Sequence, residues 1–143
     1  MHATFPVTVH MFFVRGDQIL LSRRYQTGYM DGCYSVPAGH LDGNEPVRMA
    51  AVREAREEIG VRIDPANITF AGVFHRHEGD ERVDFFVHVE SWVGEPANVE
   101  PEKCDELRWV DMNDLPVNTI SYVRRAIGNF RAKVPFEEFG WGR

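Results

Sequence analysis

The amino-acid sequence predicts an α/β fold, in which a mixed β-sheet is sandwiched between helices. Stretches with the apolar runs or the alternating apolar and polar residues typical of β-strands outnumber stretches with helical spacing. Two stretches with helical spacing, 45–59 and 118–131, are placed among them. The 143 residues, of which 43% are hydrophobic and 27% charged, suit one domain with a sizeable core. We therefore expect a single domain over residues 1–143.

Five stretches have the composition of β-strands. They are residues 7–15, 18–24, 68–77, 83–93 and 107–112. The Gly-Asp pair at 16–17 predicts a hairpin turn between the first two, and 77–82 contains the turn between the next two. The connecting segments, predicted as loops or short extended runs, are 25–34, 34–42 and 94–106.

The first helical stretch has apolar residues at every fourth position. These are Val47, Ala51, Ala55 and Ile59. Asn44 or Glu45 would open the helix, with Pro46 in its first turn, where proline is tolerated. Gly60 is expected to end it, because glycine commonly follows the last helical residue.

The second helical stretch alternates apolar and basic residues, and the segment 113–116 before it resembles a helix entry. Asn118 is a candidate N-cap, a position that asparagine favours. The aromatic tail after this helix is expected to pack back on the body, with Phe139 and Trp141 as packing anchors.

Charge and composition exclude several classes of function. The formal net charge of −6 argues against a general nucleic-acid-binding surface, so an anionic substrate would need a bound cation. No apolar run reaches the ~18 residues of a membrane span, and the strand-like N-terminus has no basic signal region. Cys33 and Cys104 have no metal-type spacing. They predict buried or half-buried free thiols in a reducing compartment, hence a cytoplasmic protein.

Three glutamates in the first helix share one face. Glu54, Glu57 and Glu58 are three and four positions apart, a spacing at which like charges repel on a helix. They border the apolar stripe, where a carboxylate is costly unless it is paired or bound to a metal. Mg²⁺ suits such a group, because it joins carboxylates to substrate phosphates. A solvated acidic face with salt bridges is the alternative that the triplet alone leaves open.

The wider stretch GHLDGNEPVRMAAVREAREEIGV, residues 39–61, resembles the signature of the Nudix hydrolases. That signature is Gly, five residues, Glu, seven residues, Arg-Glu-apolar, any residue, Glu-Glu, any residue, Gly-apolar. The matching residues are Gly39, Glu45, Arg53, Glu54, Ala55, Glu57, Glu58, Gly60 and Val61, with no departure. Strands on both sides and the chain length extend the resemblance beyond this box.

The resemblance implies an α/β/α sandwich and hydrolysis of a nucleoside diphosphate linked to another group, with Mg²⁺ or Mn²⁺ as cofactor. It implies that Glu57 and Glu58 are metal ligands, with Glu57 also among the catalytic residues, and that Gly39 is a carbonyl ligand. Glu54 would be a ligand or the base that activates water. The residues that would support the box are Glu45, Arg53 and Gly60.

Outside the box the resemblance suggests further site residues, each with a structural alternative. Arg23 and Arg24 would bind phosphate, or form a surface charge pair. His75 would line a base pocket, or be a hydrogen-bonded structural group. Asn118 would read a purine, or cap the last helix. Glu106, in preference to Glu102, would be an additional metal ligand.

The leading hypothesis is a pyrophosphohydrolase of nucleoside triphosphates that releases a nucleoside monophosphate and pyrophosphate. Glycine-histidine at 39–40, where MutT-type boxes often have glycine-lysine, argues against strict specificity for 8-oxo-dGTP. The alternatives are a nucleotide-sugar or ADP-ribose pyrophosphatase, or a non-catalytic module that binds nucleotides. The charge disfavours RNA binding as such but leaves RNA-cap chemistry open. A homodimer is compatible with the resemblance, although no stretch specifies an interface.

Overall fold

A computed structural model of the chain describes residues 1–142. It contains eight strands and two α-helices. They are β1 (Val7–Arg15), β2 (Gln18–Arg24), β3 (Tyr34–Ser35), β4 (Ala38–His40), α1 (Val47–Ile59), β5 (Ile68–Glu78), β6 (Asp80–Val89), β7 (Cys104–Asp111), α2 (Ser121–Ala132) and β8 (Phe136–Phe139). A short 3₁₀ turn, Pro65–Asn67, precedes β5.

The strands form one mixed sheet in the order β3-β2-β1-β6-β5-β8, with β4 paired to β1 and β7 to β2. β1 and β6 run parallel, as do β5 and β8, and the other pairs are antiparallel. β1 pairs with β2 only beside their shared turn. Its first half pairs with β4 instead. The two long strands therefore diverge, which leaves room for a cleft between them.

The two helices cover opposite faces of the sheet, because successive side chains of β1 point to opposite sides. Val9, Met11 and Phe13 pack against the apolar face of α1, around Ala51 and Ala55. On the other face Phe12, Phe74 and Phe86 pack against α2, whose buried residues are Tyr122, Val123, Ala126 and Ile127. The predicted α/β sandwich is confirmed.

Both helices begin later than the sequence predicts. α1 begins at Val47 after Pro46, and no side chain among the described residues caps it. Glu45 precedes a proline, and that position disfavours helical backbone, so neither Asn44 nor Glu45 opens the helix. α2 begins at Ser121, with Ile120 at the N-cap position and no side-chain cap. The N-cap prediction for Asn118 is therefore wrong.

Strand boundaries differ mainly in the second half of the chain. β6 ends at Val89, and beyond it Val93 forms an isolated bridge with Arg62. β7 begins at Cys104 rather than at residue 107, because its first residues already pair with the end of β2. The tail packs back on the body as predicted, but it does so as a strand, β8, beside β5. Phe139 of β8 stacks on Phe74.

Cys33 and Cys104 are both free and half-buried, as the sequence predicts. Within residues 1–142, no helix is long and apolar enough to cross a membrane.

Candidate active site

A cleft of about 640 Å³ lies where β1 and β2 diverge. Side chains of both strands line it. So do residues between β3 and β4, residues of α1 and residues of the loop before β7. The strand order thus brings distant parts of the sequence around one space.

Four glutamates line one part of the cleft. They are Glu54, Glu57, Glu58 and Glu100. Burial and the neighbouring Glu54, with which Glu58 shares a hydrogen bond, raise the pKa of Glu58 well above its usual value. Burial, together with the negative charge of nearby glutamates, also raises the pKa of Glu100. Burial and mutual repulsion thus make it unfavourable for Glu58 and Glu100 to carry a negative charge.

Gly39 makes close contact with this cluster. A Cβ atom at position 39 would overlap Cγ, Cδ and Oε2 of Glu54. Only glycine lets the backbone of β4 approach the glutamate this closely. The backbone N–H of the preceding residue, Ala38, donates to Oε1 of Glu58 at 3.4 Å. The segment before α1 thus packs directly against the carboxylates.

Arg53 is the cation that organises the box. Its Nη2 donates to Oε1 of Glu45 at 2.6 Å and to the carbonyl of His40 at 3.2 Å. Its Nη1 donates to Oε1 of Glu54 at 2.7 Å and lies 3.5 Å from Glu57. The hydrogen bonds from Arg53 lower the pKa of Glu45. The predicted contact between the arginine fork and Glu45 is present, and the same fork fixes the orientation of Glu54.

The donor set of the cluster fits a hard divalent cation. Carboxylate oxygens and a backbone carbonyl are the ligands that Mg²⁺ prefers. Glu58 is half-buried with a raised pKa beside Glu54, an arrangement that a cation would relieve. Across residues 1–142, no three His, Cys, Asp or Glu side chains form a ready-made metal cage. Arg53 already pairs with Glu54, so a cation would share that carboxylate with the guanidinium.

Basic side chains line the same cleft. These are Arg23, Arg24 and Lys103, together with Arg76 and Arg82 deeper in the fold. Arg23 donates from Nε to Oδ1 of Asp105 at 2.7 Å, and within the described residues its terminal nitrogens have no hydrogen-bond partner. Arg24 instead donates to the carbonyl of Tyr29 at 2.6 Å and to Oγ1 of Thr27 at 3.0 Å. Arg24 therefore mainly stabilises the loop after β2.

Three predicted site residues lie outside this cleft. Glu106 does not line it, and its carboxylate accepts a hydrogen bond from the hydroxyl of Tyr34. Asn118 is absent from the lining too, and its side-chain amide donates to the carbonyl of Gly32 at 2.8 Å. His75 lies on β5, with its Nε2 2.6 Å from Oε2 of Glu81. These contacts give all three residues structural partners away from the carboxylates.

The glutamate that joins the box residues from the loop before β7 is Glu100, neither Glu102 nor Glu106. The backbone N–H of Val99 donates to the carbonyl of Glu58 at 3.1 Å, which ties this loop to α1. The sequence showed several acids in the loop. No local pattern indicated which of them this long-range hydrogen bond would bring to the cleft.

Known proteins resemble the chain in both sequence and fold. The sequence matches the NUDIX domain over residues 4–129. The NAD-capped RNA hydrolase NudC of Stutzerimonas stutzeri is 33% identical over 103 residues, which are 71% of this chain and 35% of that protein. The chain thus spans about a third of the length of this curated relative.

Solved structures resemble the fold over nearly its whole length. The MutT NUDIX hydrolase from Burkholderia pseudomallei has a TM-score of 0.80 at 29% identity, covering 88% of this chain and 98% of that chain. The MutT protein from Methanosarcina mazei has a TM-score of 0.78 at 16% identity, covering 93% of this chain and 97% of that chain, a likeness of fold alone. With a domain match that includes the glutamate cluster and a fold shared with these structures, the chain belongs to the Nudix hydrolase family.

Proposed function

We propose that this chain hydrolyses a phosphoanhydride bond of a small nucleotide in the presence of Mg²⁺. A nucleoside triphosphate is the preferred substrate, with a nucleoside monophosphate and pyrophosphate as products. The observation that carries the proposal is the composition of the cleft. Four glutamates occupy one part of it, and Arg23 and Lys103 line the same space. Such a substrate requires carboxylates that hold a metal ion and, beside them, basic side chains that bind the polyphosphate.

Glu57, Glu58 and the carbonyl of Gly39 would hold the cation, with Glu100 as a further carboxylate at its side. Bound Mg²⁺ would offset the negative charge on the diphosphate and make water a better nucleophile. Glu54, oriented by Arg53, would accept the proton of the attacking water. Arg23 would bind a terminal phosphate, with Asp105 holding its guanidinium in place.

A second candidate substrate is a dinucleotide or another nucleoside diphosphate linked to a non-phosphate group. The observation that favours it is the similarity to NudC, which is named an NAD-capped RNA hydrolase. The catalytic chemistry at the cation would be the same for both candidates. Only the group beyond the diphosphate differs.

A substrate screen tests both proposals. The purified protein is incubated with Mg²⁺ and ribo- or deoxyribonucleoside triphosphates, NAD, ADP-ribose or nucleotide sugars, and the products are separated by chromatography. Monophosphate with pyrophosphate from a triphosphate is the expected result. Cleavage of NAD or ADP-ribose without cleavage of any triphosphate would favour the second candidate. Tight binding without any cleavage would contradict both and indicate a non-catalytic module.

A further inference from the structure

The exposed face of α2 carries a charge opposite to that of the whole chain. Residues 115–135, which include this helix, contain four basic residues and no acidic residue, whereas the chain has a formal net charge of −6. The four are Arg124, Arg125, Arg131 and Lys133. The reaction at the glutamate cluster gives this helix face no task.

A groove runs between α2 and the segment that leads into the helix. Its first part, of about 700 Å³, is lined by Arg108 of β7, by residues 114–118 and by Arg124. A second part, of about 430 Å³, shares Leu115 and Arg124 with the first and continues to Arg131. We call the two parts together the arginine groove. It is defined by Arg108, Arg124, Arg131 and the segment 112–118.

Neutral oxygen atoms hold two of these arginines in place. Nη2 of Arg124 donates to the carbonyl of Pro116 at 2.5 Å, and Nη1 of Arg131 donates to Oδ1 of Asn113 at 2.5 Å. Within residues 1–142, none of the three arginines of the groove forms an ion pair, although Asp114 also lines it. An arginine that is ordered by a neutral acceptor keeps its full attraction for an anion.

The arginine groove adjoins the catalytic cleft at Tyr34. The centre of the Tyr34 ring lies 5.9 Å from the guanidinium carbon of Arg23, which lines the cleft. It lies 5.7 Å from the guanidinium carbon of Arg108, which lines the groove. Nη1 of Arg108 is also 3.5 Å from the hydroxyl of Tyr34. A chain that leaves the cleft beside Arg23 therefore enters the groove at Arg108.

Gly128 leaves the wall of the groove open between two of its arginines. It follows Arg124 by about one helical turn and precedes Arg131 by another, so the three positions share a face of α2. A Cβ atom at position 128 would have open space around it. A flexible chain can therefore lie close against the helix between the two guanidinium groups.

The composition of the arginine groove favours a polyanion over a protein partner. Protein interfaces bind through aromatic and large apolar anchors. Among the exposed large apolar residues of the part of the chain that the structure describes, only Val117 lines the groove. Guanidinium groups in succession along a groove match the regularly spaced phosphates of a nucleic acid.

The chemistry of the cleft narrows the choice among nucleic acids. Its proposed reaction needs a phosphoanhydride, and an RNA chain carries one at its 5′ end because its synthesis starts from a nucleoside triphosphate. Only an unpaired end can enter a cleft, so the chain that leaves the cleft is single-stranded.

We propose that the arginine groove binds the sugar-phosphate backbone of a single-stranded RNA whose 5′ end lies in the cleft. Arg108, Arg124 and Arg131 each contact a phosphate, independently of the base sequence. The inference rests on the proposed function, since it makes the 5′ end of an RNA a substrate of the same reaction. The negative charge of the whole chain argues against a general nucleic-acid surface, and the groove confines the RNA to one path.

Binding of an RNA without a phosphoanhydride tests the groove by itself. Fluorescence anisotropy gives the affinity of a short single-stranded RNA with a 5′-hydroxyl end for the wild type, Arg124→Gln and Arg131→Gln. Each variant should bind about fivefold more weakly at about 0.1 M salt. The slope of log affinity against log salt concentration, about −2 for the wild type, should become shallower by about 0.7 in each variant.

The matched control is Arg62→Gln, which removes an exposed arginine that lines neither the groove nor the cleft. Its affinity for the RNA should match that of the wild type. An equal loss in the control, or no loss in either groove variant, would overturn the proposal. A polyglutamate peptide that binds as tightly as the RNA, with the same loss in Arg124→Gln, would assign the groove to an acidic protein and also contradict it.

Cleavage kinetics separate this inference from the proposed function. The value of kcat/KM is measured with Mg²⁺ for the 5′-triphosphate form of the same RNA and for the nucleoside triphosphate with the same base. The RNA should exceed the nucleotide about tenfold in the wild type, and this ratio should fall about fivefold in Arg124→Gln. The value for the nucleotide itself should stay within about twofold, because Arg124 does not line the cleft.

The outcomes distinguish the two proposals. A ratio that stays the same in Arg124→Gln would contradict a path from the cleft into the groove, whatever the protein cleaves. RNA binding that depends on Arg124 and Arg131, in a protein that cleaves neither substrate, would support the groove and refute the hydrolase proposal.

Discussion

Gly39 and Glu54 show how single residues set the geometry of this cleft. The glutamate packs so closely on the β4 backbone that a side chain at position 39 has no room. The atoms in the way belong to the end of a flexible side chain rather than to the backbone. A larger residue would therefore move the carboxylate and leave the fold in place.

Gly39→Ala should reduce turnover by about 100-fold, because a displacement of the order of 1 Å in a catalytic group can have such an effect. The unfolding midpoint should stay close to that of the wild type. Initial rates at saturating nucleotide and thermal unfolding check the two parts. A variant that unfolds at much lower temperature, or that keeps full activity, would contradict the proposed contact.

His10 should make stability depend on pH. Burial lowers its pKa in the folded protein, and the pKa is about 6.5 in the unfolded chain. Between those two values the unfolded state binds more protons, so stability falls as the pH drops below about 6.5, by at most about 1.4 kcal/mol per pH unit. Urea unfolding at about pH 7.5 and about pH 5.5 measures this slope. His10→Phe should show a smaller slope, and equal slopes would show that His10 does not remain neutral.

The contacts in the cleft were only partly predictable from the sequence. Helical spacing was enough to predict that Glu54, Glu57 and Glu58 share a face, whereas the contacts of Gly39 and Arg53 with the glutamates were expected only from the resemblance to the Nudix signature. The position of Glu100 was not predictable, because it depends on a long-range hydrogen bond between the loop before β7 and α1. The hydrogen bond of Asn118 to Gly32 depends equally on a distant segment.

Among the helices and strands, α1 has an end that a single glycine determines. Gly60 adopts φ 71°, the left-handed conformation that ends the helix, and its backbone N–H bonds to the carbonyl of Arg56 at 3.2 Å. This stop sets where the chain turns away after Glu58. The sequence predicted the end of the helix correctly, because glycine marks it. The predicted start, at Asn44 or Glu45, was too early, because Pro46 disfavours helical backbone at the residue before it.

Two glycine substitutions should have opposite effects on stability. Gly60→Ala should destabilise the fold by about 1–2 kcal/mol, since alanine is strained in the left-handed region. Gly128 lies within α2 with open space around it, and Gly128→Ala should stabilise the fold by about 0.5–1 kcal/mol. Urea unfolding of both variants tests the pair. Changes of the same sign would show that the backbone conformation does not decide either effect.

At the scale of the whole molecule, the divergence of β1 and β2 creates the cleft, and β4 completes its wall. Periodicity predicted most of the strands and both helices. It could not predict their order in the sheet, or that the tail adds β8 parallel to β5, because strand pairing is decided by packing over the entire chain. The homodimer suggested by the resemblance stays a prediction, which sedimentation of the purified protein would decide.

The central claim is that the carboxylates of the cleft hold a divalent cation for hydrolysis. Titration of Mg²⁺ against the rate of nucleotide hydrolysis tests it, with the wild type, Glu57→Gln and the control Glu102→Gln, an exposed loop glutamate outside the cleft. Glu57→Gln should lower turnover by about 100-fold and raise the Mg²⁺ concentration for half-maximal rate about tenfold, whereas Glu102→Gln should match the wild type. Near wild-type turnover of Glu57→Gln with an unchanged Mg²⁺ dependence would contradict the claim.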